Sequence, residues 1–196
     1  MKARDRFEER AALRMVRAAF RNLTGRDGAV LNYAMMSDTP VGTLGIAAGP
    51  AGLCRVSFVK GEDDFLAELL EAFGQRPVVR SSRLDEARRA LDRYFSGRRL
   101  DFADLAVDLS ELSPFERRVL GATARIPPGR VATYAEVARR AGNERASRAA
   151  GNALHKNPVA IVVPCHRVLR ADGSLGGYGG GLPIKEWLLK HEGARG

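Results

Sequence analysis

The sequence predicts an α/β unit in its first half and a mostly α-helical unit with a helix-turn-helix in its second half. Three strand-like runs followed by two amphipathic helical patterns indicate the first unit. Paired helix-start signals indicate the second. The 196 residues suffice for one medium domain or two small ones. We expect three parts: a helical extension at 1–29, the α/β domain at 30–108 and the second domain at 109–196.

Residues 30–59 alternate between apolar, β-branched runs and turn signals, which favours a meander of strands. We expect these strands at 31–36, 43–47 and 53–59. Helical spacing then follows at 62–73 and 84–95, and a glycine ends each pattern. Cys54 falls inside the third strand pattern, so we expect it to be buried and structural. A connecting segment is expected over roughly 98–112.

The second unit opens with two helix-start signals. Ser113 and Glu116 form a capping-box pattern with a proline between them, and Thr133 and Glu136 repeat the pattern. The first of these helices is expected to stop at Pro127-Pro128-Gly129 and the second near Gly142. A third helix is expected at 146–156. The two short helices joined by a Gly-Asn turn predict a helix-turn-helix.

Small side chains dominate the third helix after Arg148, which allows close approach of its backbone to another surface. Gly151 inside a helix costs about 1 kcal/mol relative to alanine, so a compensating close contact is expected. That contact is either a nucleic-acid groove or a neighbouring helix. Arg148 and the local positive charge favour DNA, with candidate contacts at Arg148, Ala149, Gly151 and Asn152.

A cysteine stands directly before a histidine in the run 161–167, Ile-Val-Val-Pro-Cys-His-Arg. The apolar residues 161–163 predict a supporting strand. A thiol must lose its proton to attack carbon, and a nearby imidazole is a common activator, so Cys165 and His166 are the candidate nucleophile and base. The alternative is a small buried residue beside a core histidine. Downstream, a glycine loop (residues 176–181) precedes a predicted helix at 182–193 that brings Glu192 towards His166.

Together these motifs resemble the O6-alkylguanine-DNA alkyltransferase (methylated-DNA–protein-cysteine methyltransferase) family. The resemblance rests on 164–168 (Pro-Cys-His-Arg-Val), the glycine loop, the segment 185–192, and upstream on Tyr134, Arg148 and Asn157-Pro158. It is close over 113–194 and looser over 30–108. It implies an RNase-H-like fold for the first domain.

The resemblance also implies an activity: the protein flips O6-alkylguanine out of duplex DNA and transfers the alkyl group irreversibly to Cys165, once per molecule. In this interpretation His166 takes the thiol proton directly or through water, Glu192 orients His166, and Asn157 braces them. Arg148 takes the vacated place in the base stack, while Tyr134 rotates the nucleotide and donates a hydrogen bond to guanine N3. The remaining residues expected at the base are Leu154, Val168, Tyr178 and Gly179.

Charge and composition set the expected partners. The net charge is +9, divided as +4 over 1–29, −3 over 30–112 and +8 over 113–196, so the positive excess lies beside the cysteine motif, as a DNA partner requires. Two cysteines form no disulfide framework. We expect no metal, no cofactor and no membrane partner. We expect a monomer in the cytoplasm, or in the nucleus of a eukaryote.

Three other functions compete with this interpretation. An alkyltransferase-like protein binds lesions without chemistry, but members of that group lack the acceptor cysteine. A cysteine hydrolase using Cys165, His166 and Glu192 leaves the helix-turn-helix unexplained. A transcription factor has thin support from one such motif without dimer-forming heptads. Residues 5–23 show helical spacing outside the resemblance, and their purpose stays open.

Overall fold

The computed structural model describes residues 30–194, so the helix predicted within 5–23 lies outside the described residues. The first unit contains the three predicted strands and two predicted helices, and a short fourth strand that was not predicted. Its strands are β1 (Leu31–Thr39), β2 (Gly42–Gly49), β3 (Gly52–Phe58) and β4 (Val78–Arg80), in the order β3-β2-β1-β4. Its helices are α1 (Glu62–Phe73) and α2 (Asp85–Phe95), the latter preceded by a 3-10 turn at Ser82–Leu84.

The sheet joins an antiparallel meander to one parallel strand. β1 pairs with β2 and β2 with β3 in antiparallel fashion, whereas β4 pairs in parallel with β1. Alternate residues of β1 face opposite sides, as the pleat of a strand requires. Leu31 and Tyr33 pack with Phe65 of α1 on one side. On the other side, Ala34 and Met36 pack into a core shared with α2 and with the second unit.

The free edge of β3 is covered by two segments of the same chain. Leu53 exchanges backbone hydrogen bonds with Ala106 and Asp108 (2.9 and 2.8 Å). Val56 receives a bond from Ala160 N (3.1 Å) and donates to Pro158 O (2.8 Å). The connecting segment and the approach to the cysteine motif are thus both fixed to the first unit. Because the two units share one core, the predicted boundary at 109 stays a prediction.

The second unit begins where the capping boxes predict. The side chains of Ser113 and Thr133 each accept a bond from the backbone N–H of the glutamate three residues on, and the carboxylate of that glutamate accepts from the backbone N–H of the capping residue. The elements are α3 (Pro114–Ala124), β5 (Ala132–Thr133), α4 (Tyr134–Arg140), α5 (Ser147–His155), β6 (Val168–Leu169) and α6 (Leu182–His191). Helix α3 ends at Ala124, three residues before Pro127, where its end was predicted. Helices α4 and α5 form the predicted helix-turn-helix.

The strand predicted at 161–163 is wrong, because this segment is a tight turn. Ile161 has φ 71°, a left-handed conformation that costs a β-branched residue about 1–3 kcal/mol. The turn is closed by Val163 N donating to Val159 O (2.9 Å) and by Cys165 N donating to Val163 O (2.8 Å). Pairing with β3 stops at Ala160, so the chain folds back there and delivers Cys165 on a 3-10 turn, Cys165–Arg167.

No helix within residues 30–194 is long and apolar enough to cross a membrane.

Candidate active site

A cavity of about 450 Å³ opens between the helix-turn-helix and the glycine loop. The start of α4, one face of α5 and the loop form its walls, and Cys165 lies on the wall. The lining residues are Tyr134, Ser147, Arg148, Gly151, Asn152, Leu154, His155, Cys165, Arg170, Gly176, Gly177, Tyr178 and Gly179. Residue Cys165 is partly exposed and lines this cavity, so a ligand in the cavity would lie beside it.

Asn157 holds the thiol of Cys165. Its amide Nδ2 donates to Cys165 Sγ (3.1 Å) and to Val163 O (2.8 Å), while its Oδ1 accepts from Val159 N (3.1 Å). Burial raises the pKa of Cys165; the Asn157 hydrogen bond and the charge of Lys185 oppose this rise. Asn157 therefore braces the turn and favours the thiolate at the same time.

His166 lies behind the thiol, fully buried, and its Nε2 is 2.9 Å from Glu192 Oε1. Burial lowers the pKa of His166 although Glu192 raises it, so the resting imidazole is neutral at pH 7. Burial would raise the pKa of Glu192, but hydrogen bonds from His166 and Arg167 lower it to about 2. A carboxylate only accepts, so His166 Nε2 carries the proton and Nδ1 keeps its lone pair. Nδ1 is buried and makes no hydrogen bond within residues 30–194.

Arg167 is a site residue that sequence reasoning did not single out. Its Nε donates to Glu192 Oε2 and its Nη2 to Oε1, both at 2.8 Å, which is a bidentate pair. The same guanidinium also donates to the carbonyls of Ile126 and Leu100. Arg167 thereby ties the end of α6 to α3 and to the connecting segment. The Pro-Cys-His-Arg motif contained it, but only the fold shows its partner 25 residues away.

Tyr134 projects into the cavity from the first turn of α4. Its ring lies 3.6 Å from the place of a β-carbon at Gly151, an ordinary contact. Its hydroxyl occupies the place where a β-carbon at Gly176 would stand, so a side chain there would have to displace Tyr134. Burial raises the pKa of Tyr134, so this phenol is a hydrogen-bond donor at neutral pH.

Helix α5 divides its small residues between two faces. Ala150 and Ala153 are buried against the rest of the second unit, so close helix packing accounts for them. Arg148 and Asn152 are exposed and line the cavity with Gly151. Ala149 is exposed beside them but lies outside the cavity lining. The outer face of α5 therefore carries an arginine among small residues and is exposed beside the cavity.

Among the residues expected at the base, Leu154, Tyr178 and Gly179 line the cavity, and Val168 does not. Val168 is fully buried, and its carbonyl accepts a hydrogen bond from Lys185 Nζ (2.7 Å), which also donates to Gly176 O (3.2 Å). Lys185 itself is fully buried, and burial lowers its pKa to about 8. Lys185 and Arg170 are further site residues that sequence reasoning missed; a lysine in an amphipathic helix carries no signal of burial.

Cys54 is buried, as predicted, and its pKa is raised by burial. No group of three or more His, Cys, Asp or Glu residues suited to a metal ion occurs within 30–194.

Two family models match the chain in succession: the ribonuclease-like domain of 6-O-methylguanine DNA methyltransferase over 31–109, and its DNA-binding domain over 114–194. A methylated-DNA–protein-cysteine methyltransferase of Methanosarcina acetivorans is 40% identical over 163 residues, covering 83% of this chain and 99% of the relative. The chain belongs to the 6-O-methylguanine DNA methyltransferase family. The predicted resemblance and the RNase-H-like first domain are thereby confirmed.

Two further similar proteins extend the likeness. A protein of Thermus thermophilus named DNA base-flipping protein is 34% identical over 160 residues, covering 82% of this chain and 99% of its own length. The crystal structure of Mycobacterium tuberculosis OGT in complex with DNA is 32% identical, with a TM-score of 0.69 over 84% of this chain and 92% of that chain. The DNA-binding domain predicted for the second half is therefore present.

Proposed function

We propose that this protein repairs O6-alkylguanine in double-stranded DNA by transferring the alkyl group to Cys165, once per molecule. The observation that carries the proposal is the position of the Cys165 thiol on the wall of a cavity that the helix-turn-helix borders. Membership of the 6-O-methylguanine DNA methyltransferase family supports the reaction type. No cofactor is part of the proposal, because the thiol is itself the acceptor.

Base extrusion is the first step. The O6 atom of guanine lies inside the stack, so the nucleotide must rotate into the cavity, at a cost of a few kcal/mol. Arg148, exposed on the face of α5 that lines the cavity, takes the place of the flipped base. Tyr134 at the cavity wall guides the nucleotide inward. Ala149, Gly151 and Asn152 allow the backbone of α5 to approach the groove closely.

Alkyl transfer follows with a simple balance of bonds. The thiol proton of Cys165 moves to Nδ1 of His166, directly or through water, and the thiolate attacks the alkyl carbon in line. The sulfur–carbon bond forms as the carbon–O6 bond breaks, and the electron pair of that bond stays with guanine. Tyr134 donates a hydrogen bond to guanine N3, which disperses the developing negative charge.

Leu154, Tyr178 and Gly179 form the base pocket, and the main chain at Gly179 reads the base edge; Val168, whose carbonyl accepts from Lys185, takes no part. The product is a thioether, which has no good leaving group, so Cys165 stays alkylated and each molecule acts once. We propose that the protein acts as a monomer on DNA in the cytoplasm, or in the nucleus of a eukaryote.

A lesion-binding protein without chemistry is the second candidate. The relative named DNA base-flipping protein favours it. The presence of Cys165, held by Asn157 and lining the cavity, favours transfer instead.

Mass spectrometry separates the two functions. Equimolar protein and duplex DNA with one O6-methylguanine should give protein heavier by one methyl group at Cys165, and Cys165→Ala should stay unmodified. Repeated turnover, or tight binding without added mass, would reject the transfer.

Arg148→Ala should slow repair of the duplex more than reaction with the free modified base, whereas Arg88→Ala, which removes an arginine from the first unit, should change neither. Binding should weaken as salt rises.

A further inference from the structure

A hydrogen bond crosses from the first unit to the site of the proposed reaction. Tyr94, in the last turn of α2, is fully buried, and its hydroxyl donates to Glu192 Oε1 at 2.8 Å. The two residues are 98 positions apart in the chain. The Tyr94 ring packs against Phe95 and Phe102, with centroids 5.5 and 5.2 Å away. The first unit therefore contacts the carboxylate that pairs with His166.

Three donors converge on the same carboxylate oxygen. Glu192 Oε1 accepts from the Tyr94 hydroxyl, from His166 Nε2 and from Arg167 Nη2, at 2.8 to 2.9 Å. Burial raises the pKa of Tyr94, and the charge of Glu192 raises it further, so the phenol keeps its proton and donates. The three donors fix the orientation of the carboxylate and share its negative charge.

We propose that Tyr94 is a positioning residue for alkyl transfer, because its hydrogen bond to Glu192 fixes the carboxylate that sets the tautomer and basicity of His166. This inference rests on the proposed function of Cys165 and His166. Loss of the Tyr94 hydroxyl leaves more negative charge on Oε1 opposite His166. It also leaves Arg167 as the remaining donor, besides His166 itself, that orients Glu192 Oε1. The base then becomes easier to protonate and less well oriented.

The groups around His166 determine the direction in which loss of the Tyr94 hydroxyl shifts the pKa of His166. Burial lowers its pKa, the hydrogen bond and charge of Glu192 raise it, and the charges of Arg167 and Lys185 lower it. Charged or titratable groups face it from its own 3-10 turn (Cys165, Arg167), from α6 and its end (Lys185, Glu192), from the glycine loop (Tyr178) and, through Glu192, from α2 (Tyr94). The hydrogen bond from Tyr94 reduces the effect of Glu192, which raises the pKa of His166. Removal of the Tyr94 hydroxyl therefore raises the pKa of His166.

The test compares Tyr94→Phe with Tyr33→Phe. Tyr33 donates to Glu62 at 2.7 Å, so Tyr33→Phe also removes a phenol that donates to a carboxylate, in the same unit but away from Cys165. Single-turnover rates on duplex DNA with O6-methylguanine are measured from pH 5.5 to 9. Tyr94→Phe should slow transfer about tenfold and shift the acidic limb of the profile up by about half a unit. Affinity for DNA should stay within about twofold. Tyr33→Phe should match the wild-type protein.

Nitrogen-15 NMR of His166 supplies a readout that does not depend on activity. The wild-type spectrum should show the Nε2-protonated tautomer, and Tyr94→Phe should raise the titration midpoint of the ring. Phe102→Leu removes a ring contact of Tyr94 but keeps the hydroxyl. It should therefore lower thermal stability and leave unchanged both the pH dependence of the transfer rate and the NMR titration of His166. The wild-type protein adds a measurement independent of any variant: the Tyr94 phenolic proton should exchange slowly and resonate downfield.

The outcomes are distinct. Unchanged pH profile and His166 resonances in Tyr94→Phe, the same shifts in Phe102→Leu, or a rapidly exchanging Tyr94 phenol would each overturn the positioning role. If the wild-type protein transfers no methyl group, the proposed function fails, and the NMR comparison still decides whether Tyr94 sets the state of His166.

Discussion

The hydroxyl of Tyr134 fills the space that a side chain at position 176 would need. Tyr134 stands at the first turn of α4 and Gly176 at the entrance of the glycine loop, 42 residues later. Their contact fixes the direction in which the phenol enters the cavity. The proposed base pocket thus favours glycine at position 176, although the backbone there does not adopt a left-handed conformation.

Gly176→Ala should therefore displace Tyr134 and slow methyl transfer by at least about tenfold, since a catalytic group moved by about 1 Å loses much of its effect. Gly177→Ala is the matched control, because a β-carbon there meets nothing within 4 Å. Single-turnover rates on duplex substrate measure both. Equal rates for the two variants would contradict the contact.

Asn157 should set the acidity of the thiol. Asn157→Asp keeps the acceptor for Val159 N but replaces the amide that donates to Cys165 Sγ with a negative oxygen. The pKa of Cys165 should rise, because a donor to the thiolate is lost and a like charge is gained. The pH dependence of alkylation by iodoacetamide reports this pKa. A thiol pKa equal to that of the wild-type protein would show that Asn157 acts only on the turn.

The folded protein should lose stability in acid through Glu192. Its pKa is about 2 in the fold against the ordinary value of 4.5, so its contribution is fully present above pH 4.5 and is lost as pH falls towards 2. Glu192→Gln leaves Arg167 buried without its partner and should cost about 3–5 kcal/mol at neutral pH. This difference, measured by urea unfolding, should narrow below pH 4.5. A difference that stays constant from pH 6 to 3 would refute the assignment.

Lys185 should act on both the loop and the thiol. Lys185→Met removes the donor to Val168 O and Gly176 O and the positive charge that lowers the pKa of Cys165. We expect a raised thiol pKa and slower methyl transfer. Lys190→Met removes the same charge from an exposed position of the same helix and should leave both unchanged. Matching thiol titrations in the two variants would exclude an electrostatic role for Lys185.

Local chemistry explains which elements the sequence predicted. The capping boxes at Ser113 and Thr133 involve neighbours three residues apart, so the sequence contains the whole interaction. The turn at Ile161 was mistaken for a strand because apolar β-branched residues suit both a strand and a buried turn. Strand β4 has only three residues and depends on pairing with β1, so no pattern announced it.

The site residues likewise separate into those that the sequence predicted and those that only the fold brings together. The Pro-Cys-His-Arg motif singled out Cys165 and His166, and the predicted helix that ends at Glu192 singled out that carboxylate. The donors on Glu192 come from α2 and from the cysteine motif, and separations of 98 and 25 residues leave no periodic signal. Val168 was expected at the base, but Lys185 covers it. The sequence does not reveal this, because the burial of Lys185 depends on how α6 packs on β6.

Because other segments of the chain cover the edge of β3, the second unit cannot be separated from the first without loss of contacts. Cutting the chain between the two units would strip hydrogen-bond partners from Pro158 and Ala160, open an apolar wall to water and release the loop that carries the sulfur. The amino-terminal sheet thus supports, through backbone hydrogen bonds at 158 and 160, the segment that leads to the proposed nucleophile.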